Sequence, residues 1–302
     1  MKILVGTEDG LHEFDAAGIR GAVHHPGRAV TALGAEYPHA WAILDRSEVV
    51  RTDGSGGWLE RGELHDERAN CIADTRAGYL VGTSDAGLFR VTETGLEAVP
   101  SFDDVKGRAD WYTPWGGPPD SRSISEDGET VYVNVHVGGI VRTNDEGTTW
   151  EPTIDIDADA HRVWAGERAV FAATGRGLAL SRDRGDSWEY RTDGLEAAYC
   201  RGVALCGDGQ TVLVTASLGP GGGRSAIYRG AQDGGGLERC RAGLPAWFDD
   251  NIDSSSLDAL PHGAAAAFGT SDGRVFASQD EGKTWAGVVS GLPKIHCVLL
   301  ME

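Results

Sequence analysis

The sequence contains few lysines, no long apolar run and no hydrophobic leader. No stretch approaches the roughly 18 consecutive apolar residues that a membrane-spanning helix needs, which excludes a helical membrane protein. The first ten residues lack the apolar core of a signal peptide, so we expect a cytoplasmic protein. Only four of the 27 basic residues are lysines, namely Lys2, Lys106, Lys283 and Lys294.

Cysteine is sparse and irregularly placed. The chain has five cysteines, an odd number, and no Cys-x-x-Cys pair. This spacing excludes a zinc knuckle and a disulfide framework, and it predicts reduced thiols that pack as small apolar side chains. The cysteines are Cys71, Cys200, Cys206, Cys240 and Cys297.

Positive charge is also scarce. The formal net charge is −19, which opposes binding to nucleic acid or to an anionic membrane. A surface rich in acids and poor in lysine is typical of proteins that work at high salt, where self-repulsion is screened. An ordinarily acidic protein from a GC-rich genome explains the same composition. The sequence leaves both interpretations open.

An eight-residue motif, Ser/Thr-x-Asp-x-Gly-x-x-Trp, occurs three times. The copies span Thr143–Trp150, Ser181–Trp188 and Ser278–Trp285. A degenerate fourth copy retains only Asp53 and Trp58, at the same separation. An Asp carboxylate accepts hydrogen bonds from backbone N–H groups across a tight turn. Glycine permits the backbone conformation of such a turn, and tryptophan packs the turn onto a sheet. The motif therefore predicts one hairpin turn per sheet.

The carboxylates of the three full copies have a structural role in this interpretation. We predict that Asp145, Asp183 and Asp280 bond the backbone of their own turns and carry no ligand.

Between these motifs the chain repeats a unit of about 35 to 48 residues, the range of a propeller blade. The N-terminal unit lacks its inner strand, and the C-terminus supplies a spare strand at Ile295–Leu300. Pairing this strand with Ile3–Gly6 closes a ring and removes two exposed edges. The sequence therefore predicts an all-β, seven-bladed β-propeller whose terminal strands share a blade, with residues 1–302 as a single domain.

These motifs resemble the Asp-box, or BNR-repeat, β-propellers, which include sialidases, the lumenal domains of sortilin-type receptors and a photosystem II assembly factor. Trp111–Ser123 and Val133–Ile140 are similar to a sialidase-like branch that is labelled glycosyl hydrolase or BNR-like. The resemblance covers roughly residues 50–290 and implies that the motif turns join outer strands, on the face away from the ligand site. It implies the fold and says little about the function.

True sialidase activity does not fit the sequence. Sialidases carry an Arg-Ile-Pro motif, a three-arginine clamp, an Asp acid/base and a Tyr–Glu nucleophile pair. This chain has no Arg-Ile-Pro, and seven blades depart from the six of sialidases.

The candidate site residues come from positions that share the face opposite the motif turns. In a propeller these positions are the starts of the inner strands and the turns between second and third strands. We expect His136, His161 and Arg201 to act in catalysis. The predicted ligand-binding residues are Arg122, Trp111, Trp115, Tyr199 and His296, and the tryptophans lie in an insert, residues 103–120, that would roof the site.

Each of these residues also has a structural interpretation. The two histidines could be satisfied within the fold, the insert could plug the channel, and the arginines could pair with acids such as Asp253. Cys200 beside Arg201 is either a thiol of lowered pKa or an inert buried one.

Alternating acids precede His161. If residues 155–159 are extended, Asp155, Asp157 and Asp159 share one face, where with His136 they could bind a cation. A solvated strand edge is the alternative, and the sequence leaves the metal and any cofactor unknown.

Two functions remain. The first is small-molecule binding at the axial mouth, for an anionic or sugar-like ligand, with possible hydrolase or lyase chemistry by His and Arg. The second is a non-catalytic scaffold or assembly factor that binds a protein partner.

Overall fold

A computed structural model describes residues 1–114 and 116–302. It contains 28 strands in seven four-stranded sheets, which form the blades of a ring. The predicted seven-bladed β-propeller is therefore confirmed. The described residues include no α-helix.

The strands follow the chain blade by blade. Blade 1 contains β1 (Lys2–Thr7), β2 (Gly10–Asp15) and β3 (Arg20–His24), and blade 2 contains β4 (Val30–Glu36), β5 (His39–Leu44), β6 (Glu48–Thr52) and β7 (Trp58–Glu63). Blade 3 contains β8 (Ala69–Thr75), β9 (Gly78–Thr83), β10 (Leu88–Thr92) and β11 (Gly95–Ala98). Blade 4 contains β12 (Ser121–Glu126), β13 (Val131–Val135), β14 (Gly139–Thr143) and β15 (Glu151–Pro152).

The remaining three blades continue the pattern. Blade 5 contains β16 (Ala160–Gly166), β17 (Ala169–Thr174), β18 (Gly177–Ser181) and β19 (Glu189–Arg191). Blade 6 contains β20 (Tyr199–Leu205), β21 (Thr211–Ser217), β22 (Ala226–Ala231) and β23 (Gly234–Arg239). Blade 7 contains β24 (Leu257–Ala259), β25 (Ala266–Gly269), β26 (Val275–Ser278) and β27 (Ala286–Val289), and β28 (Ile295–Met301) returns to blade 1.

Short 3₁₀ helices occupy some connections between strands. They span Ser84–Ala86, Pro100–Phe102, Arg108–Asp110, Ile156–Ala158 and Ser254–Ser256. No helix in the described part of the chain is long and apolar enough to cross a membrane.

The chain divides into two compact units. The first contains residues 1–31, 175–178 and 190–302, and the second contains residues 32–174 and 179–189. The expectation that residues 1–302 form one domain stays a prediction.

Blade 1 joins the two ends of the chain. Strand β28 pairs antiparallel with β1, with Ile3 opposite Leu300 and Gly6 opposite Cys297. Strand β1 also pairs with β2, so neither of its edges is left open. The predicted pairing of the terminal strands is confirmed.

The three motif copies form the turns between third and fourth strands in blades 4, 5 and 7. Their carboxylates each accept the backbone N–H four residues on, and these donors are Thr149 at 2.8 Å from Asp145, Ser187 at 2.9 Å from Asp183, and Thr284 at 2.8 Å from Asp280. Each carboxylate also accepts the hydroxyl two residues before it. The predicted role of these acids in their own turns is confirmed.

Apolar side chains from neighbouring strands form the cores of both units. In the first unit, Ile3, Leu300 and Val298 of blade 1 pack with Ala267 and Val275 of blade 7. In the second unit, Trp150 of a motif turn is 6% exposed and packs edge-on against Phe102, with ring centroids 5.2 Å apart. Burying one large apolar side chain stabilises a fold by about 1.5–3 kcal/mol, so these contacts hold the turns and strands in place.

Candidate functional site

Two histidines from neighbouring blades meet in the second unit. His136 follows β13 in the turn to β14, and His161 is the second residue of β16. Their rings stack with centroids 5.7 Å apart and an interplanar angle of 30°. The turn after a second strand and the start of the next inner strand lie at the same end of their blades, which is why the two rings can meet.

One carboxylate lies against both rings. Oδ1 of Asp159 is 3.0 Å from Nε2 of His136 and 3.5 Å from Nε2 of His161. The two imidazoles are 2% and 0% exposed, whereas a third of the Asp159 side chain is exposed. We call His136, Asp159 and His161 the His–Asp–His cluster. Its carboxylate is the part that solvent reaches.

The segment before Asp159 is not extended, so the predicted alternation of three acids along one face is wrong. Residues Ile156–Ala158 form a 3₁₀ turn that begins when the Asp155 carboxylate accepts the N–H of Asp157. Asp155 and Asp157 are exposed. Asp159 then adopts a left-handed backbone, with φ 53° and ψ 60°, which Asp tolerates better than most residues. The turn directs only Asp159 to the histidines.

The protonation of Asp159 follows from its neighbours. Burial acts to raise the pKa of this carboxyl, but its hydrogen bonds and charge interactions with His136 and His161 outweigh burial and hold the pKa well below its usual range. The cluster therefore contains a fixed negative charge next to two imidazoles.

Backbone and amide hydrogen bonds hold the two blades together at the cluster. Asn134 is fully buried on β13, and its Nδ2 donates to the carbonyl of Ala160 at 3.0 Å. The N–H of His136 donates to the carbonyl of Asp120 at 2.9 Å. The first bond joins β13 to Ala160, the residue before His161. The second joins His136 to Asp120, the residue before β12.

The turn that carries His136 has a strained backbone. Val137 has φ 51°, which is costly for a β-branched residue. Trp111 covers this turn, because a Cβ at Gly138 would lie only 3.0 Å from Cδ2 of its ring. Such strain is commonly stored at functional sites, and here it adjoins the cluster.

The insert, residues 103–120, contacts the 3₁₀ turn that precedes Asp159. The hydroxyl of Tyr112 is 3.5 Å from Oδ1 of Asp157, on the 3₁₀ turn that precedes Asp159. Trp111 packs with Phe102, and Arg108 lies 5.1 Å from the Trp111 ring centroid. Trp111 therefore lies against the turn that carries His136, and its place at the rim of a ligand site stays a prediction. Trp115 lies outside the described residues.

Arg122, which we expected to bind ligand, is the second residue of β12. Its Nη2 lies 3.8 Å from Oδ2 of Asp120, and its side chain is mostly buried. The structure therefore gives Arg122 an acidic neighbour within its own blade.

Arg201, expected to be catalytic, lies in the first unit and forms an ion pair with Asp253. Burial acts to lower the pKa of Arg201, but the charge and hydrogen bond of Asp253 outweigh burial and raise it. Tyr199 also bonds Arg201 and acts in the same direction. The alternative in which Arg201 pairs with Asp253 is confirmed. The sequence positions of Arg122, Arg201, His296 and the two histidines predict one shared face, and their convergence on a single axial pocket stays a prediction.

The cysteines and His296 complete the sequence candidates. All five cysteines are buried and free, as predicted. Burial raises the pKa of the Cys200 thiol, so the alternative of a lowered pKa is wrong. His296 is the second residue of β28, and its carbonyl accepts the Ser256 hydroxyl at 3.3 Å.

Sequence reasoning placed both histidines on one face but gave no role to Asn134 and no separate role to Asp159. A buried asparagine inside the apolar run Val131–Val135 is the signal that could have identified Asn134. In chemical terms the cluster offers a carboxylate and two imidazoles, which can exchange protons or bind a metal.

No family model and no curated protein sequence matches this chain. Solved structures do match its fold. The GH74 xyloglucanase from Xanthomonas campestris is 16% identical, with a TM-score of 0.73 over 96% of this chain and 52% of that chain. An ancestral GH74 enzyme is 13% identical, with a TM-score of 0.67 over 96% of this chain and 40% of that chain. This chain thus spans about half or less of the length of these enzymes.

A third similar structure is YCF48 from Cyanidioschyzon merolae, which is 14% identical, with a TM-score of 0.61 over 97% of this chain and 90% of that chain. YCF48 has also been solved bound to a D1 peptide. At these identities the likeness establishes the propeller fold alone.

Proposed function

We propose that this propeller binds a small anionic or sugar-like molecule at the His–Asp–His cluster and acts on it as a hydrolase or lyase. The observation that supports the proposal is the meeting of two buried imidazoles from different blades on one carboxylate, 3.0 and 3.5 Å away. Two histidines that share a carboxylate provide acid–base groups at one point.

The charges of the cluster favour different roles for the two rings, one as acid and the other as base. Two imidazolium rings with centroids 5.7 Å apart repel, and Asp159 compensates only one positive charge. In this proposal one ring donates a proton to a leaving group while the other accepts one, which are the two transfers that hydrolysis and elimination need.

The surroundings favour a small polar ligand. The exposed part of Asp159 gives access to the cluster, and Tyr112 and Trp111 of the insert stand beside it. Aromatic side chains next to a few convergent polar groups are typical of sites for sugars and other small molecules. The three motif turns support a further proposal, that the chain belongs with the Asp-box propellers.

A ligand screen tests the proposed function. The melting temperature of the wild-type protein is measured with a panel of sugar acids, sugar phosphates and small carboxylates, and each hit is repeated with Asp159→Asn and His161→Gln. We expect at least one ligand to raise the melting temperature of the wild type and neither variant to respond. His262→Gln, at an exposed histidine, serves as the control and should keep the response. A panel without a hit, or a hit that both variants retain, contradicts the proposal.

A peptide-binding scaffold is the second candidate, and one observation favours it. A cleft of about 390 Å³ lies at one end of blade 1, lined by Met1, Phe14 and Ile19 and by charged residues that include Glu13 and Arg20. Ile19 directly precedes the outer strand β3 and is 68% exposed. Extended apolar peptides add to such outer strands by backbone pairing. We expect an array of extended apolar peptides to bind the wild type and not Ile19→Lys. Equal binding to both proteins would exclude this cleft.

A further inference from the structure

We infer that His136, Asp159 and His161 form a binding site for a divalent transition metal, with zinc the ion that best matches their chemistry. The inference concerns the same cluster as the proposed function, and zinc bound at the two Nε2 atoms would replace the proton transfers by those rings. It goes beyond that function because metal binding is measurable without any substrate.

The spacing of the donor atoms supports a metal. Four ligands about 2.0–2.1 Å from a tetrahedral zinc stand roughly 3.3 Å from one another. The two Nε2–Oδ1 separations are 3.0 and 3.5 Å, on either side of that value. The donor atoms of the three side chains all lie within 4.8 Å of one another, so modest ring movements would complete the triangle.

The types of donor select the metal. Two imidazoles and one carboxylate suit zinc and its neighbours in the first transition row, whereas magnesium and calcium prefer oxygen donors only. A net charge of −19 on the whole chain also attracts cations to the site.

The residues around the cluster hold its side chains in place. Both imidazoles are at least nine-tenths buried, which fixes their rings. Asn134 holds β13 to Ala160, the residue between the two ligands Asp159 and His161. Groups behind the ligands commonly set metal affinity in this way, so Asn134 is a positioning residue in this inference.

The number of ligands implies a function for the metal. Three protein ligands leave one tetrahedral position for water or a substrate oxygen, which is the arrangement of catalytic rather than structural zinc. The partly exposed Asp159 marks the side from which that position is reached. A structural zinc would have four protein ligands, and the described residues offer three here.

The experiment uses the full chain, stripped with a chelator and titrated with zinc chloride alone in a calorimeter. We expect one zinc per chain, an affinity loss of more than about 100-fold in Asp159→Asn and in His161→Gln, and no change in His262→Gln. Cobalt gives a second readout, because tetrahedral cobalt bound to protein absorbs visible light much more strongly than octahedral cobalt in water. Asparagine tolerates the left-handed backbone of position 159, so Asp159→Asn should stay folded, which circular dichroism checks.

Two results would overturn the inference. One is no stoichiometric zinc binding by the folded wild type, which would leave the cluster as a hydrogen-bonded histidine pair. The other is unchanged affinity in both ligand variants, which would place the zinc elsewhere. If zinc binds but no ligand of the panel does, the metal site stands and the proposed function fails. If a ligand binds the stripped protein and zinc does not, the opposite holds.

Discussion

Single carboxylates organise several of the turns in this protein. Beyond the three motif copies, Asp53 accepts the N–H groups of Ser55 and Gly57 at 2.7 and 2.9 Å. Asp15 accepts those of Ala17 and Ile19, both at 2.8 Å. These two turns lack the full motif, yet they repeat its chemistry at the same place in blades 1 and 2. At the scale of the residue, the propeller depends on aspartate as a turn acceptor more widely than the motif indicates.

Another carboxylate stabilises the fold in a pH-dependent way. Oε2 of Glu36 accepts from Nε of Arg51 at 2.6 Å and from Nε1 of Trp41 at 2.7 Å, and Oε1 accepts from Nη2 of Arg51 at 2.6 Å. The hydrogen bonds from Arg51, opposed by burial and aided by Trp41 and Tyr79, lower the pKa of Glu36 from 4.5 to about 2. Since the folded pKa is lowered, the stabilisation is complete above about pH 4.5 and is lost as the pH falls toward 2.

We therefore predict that Glu36→Gln removes part of the acid-induced loss of stability. Above pH 5 the variant should be less stable than the wild type by at most about 3 kcal/mol, and the difference should shrink between pH 4.5 and 2. Urea unfolding at several pH values measures this. Glu60→Gln, at an exposed side chain, is the control. A stability difference that stays constant over that pH range would show that the ion pair is not its source.

At the scale of the element, strand β1 packs so closely against its neighbours that position 6 has no room for a side chain. A Cβ on Gly6 of β1 would lie 2.7 Å from the carbonyl oxygen of Val30 and closer still to Sγ of Cys297 on β28. Backbone and a buried thiol give way less easily than the end of a flexible side chain. Gly6 is thus required by the close approach of its neighbours.

We predict that Gly6→Ala destabilises the protein by about 1–3 kcal/mol. Gly287 in β27 supplies the matched comparison, because a Cβ there meets nothing within 4 Å and its backbone is not left-handed. Gly287→Ala should be neutral or slightly stabilising. Chemical denaturation of the three proteins decides between these outcomes, and equal effects of the two substitutions would refute the packing argument.

The elements also show which features can be predicted from sequence. The motif turns and the strands around them were predictable because Asp, Gly and Trp act within eight residues of each other. The turn at Asp155–Asp159 was not, because its left-handed last residue contacts His136, which comes from the neighbouring blade. Strand positions placed His136 and His161 at one end of their blades, but their shared carboxylate depends on tertiary contacts.

At the scale of the whole molecule, the single-domain prediction is open to a direct test. Calorimetry should show one unfolding transition, with the calorimetric enthalpy equal to the van't Hoff enthalpy. The physical reason is that the blades of a propeller pack face to face, so the loss of one blade exposes the apolar faces of its neighbours. Two separate transitions would show instead that the two compact units unfold independently.

The pairing of β1 with β28 also bears on how the chain is made. Strand β28 is synthesised about 290 residues after its partner β1. At 5–20 residues per second the interval is roughly 15 to 60 s. Throughout that time one edge of the apolar strand Ile3–Val5 lacks its partner and is open to pairing with other chains.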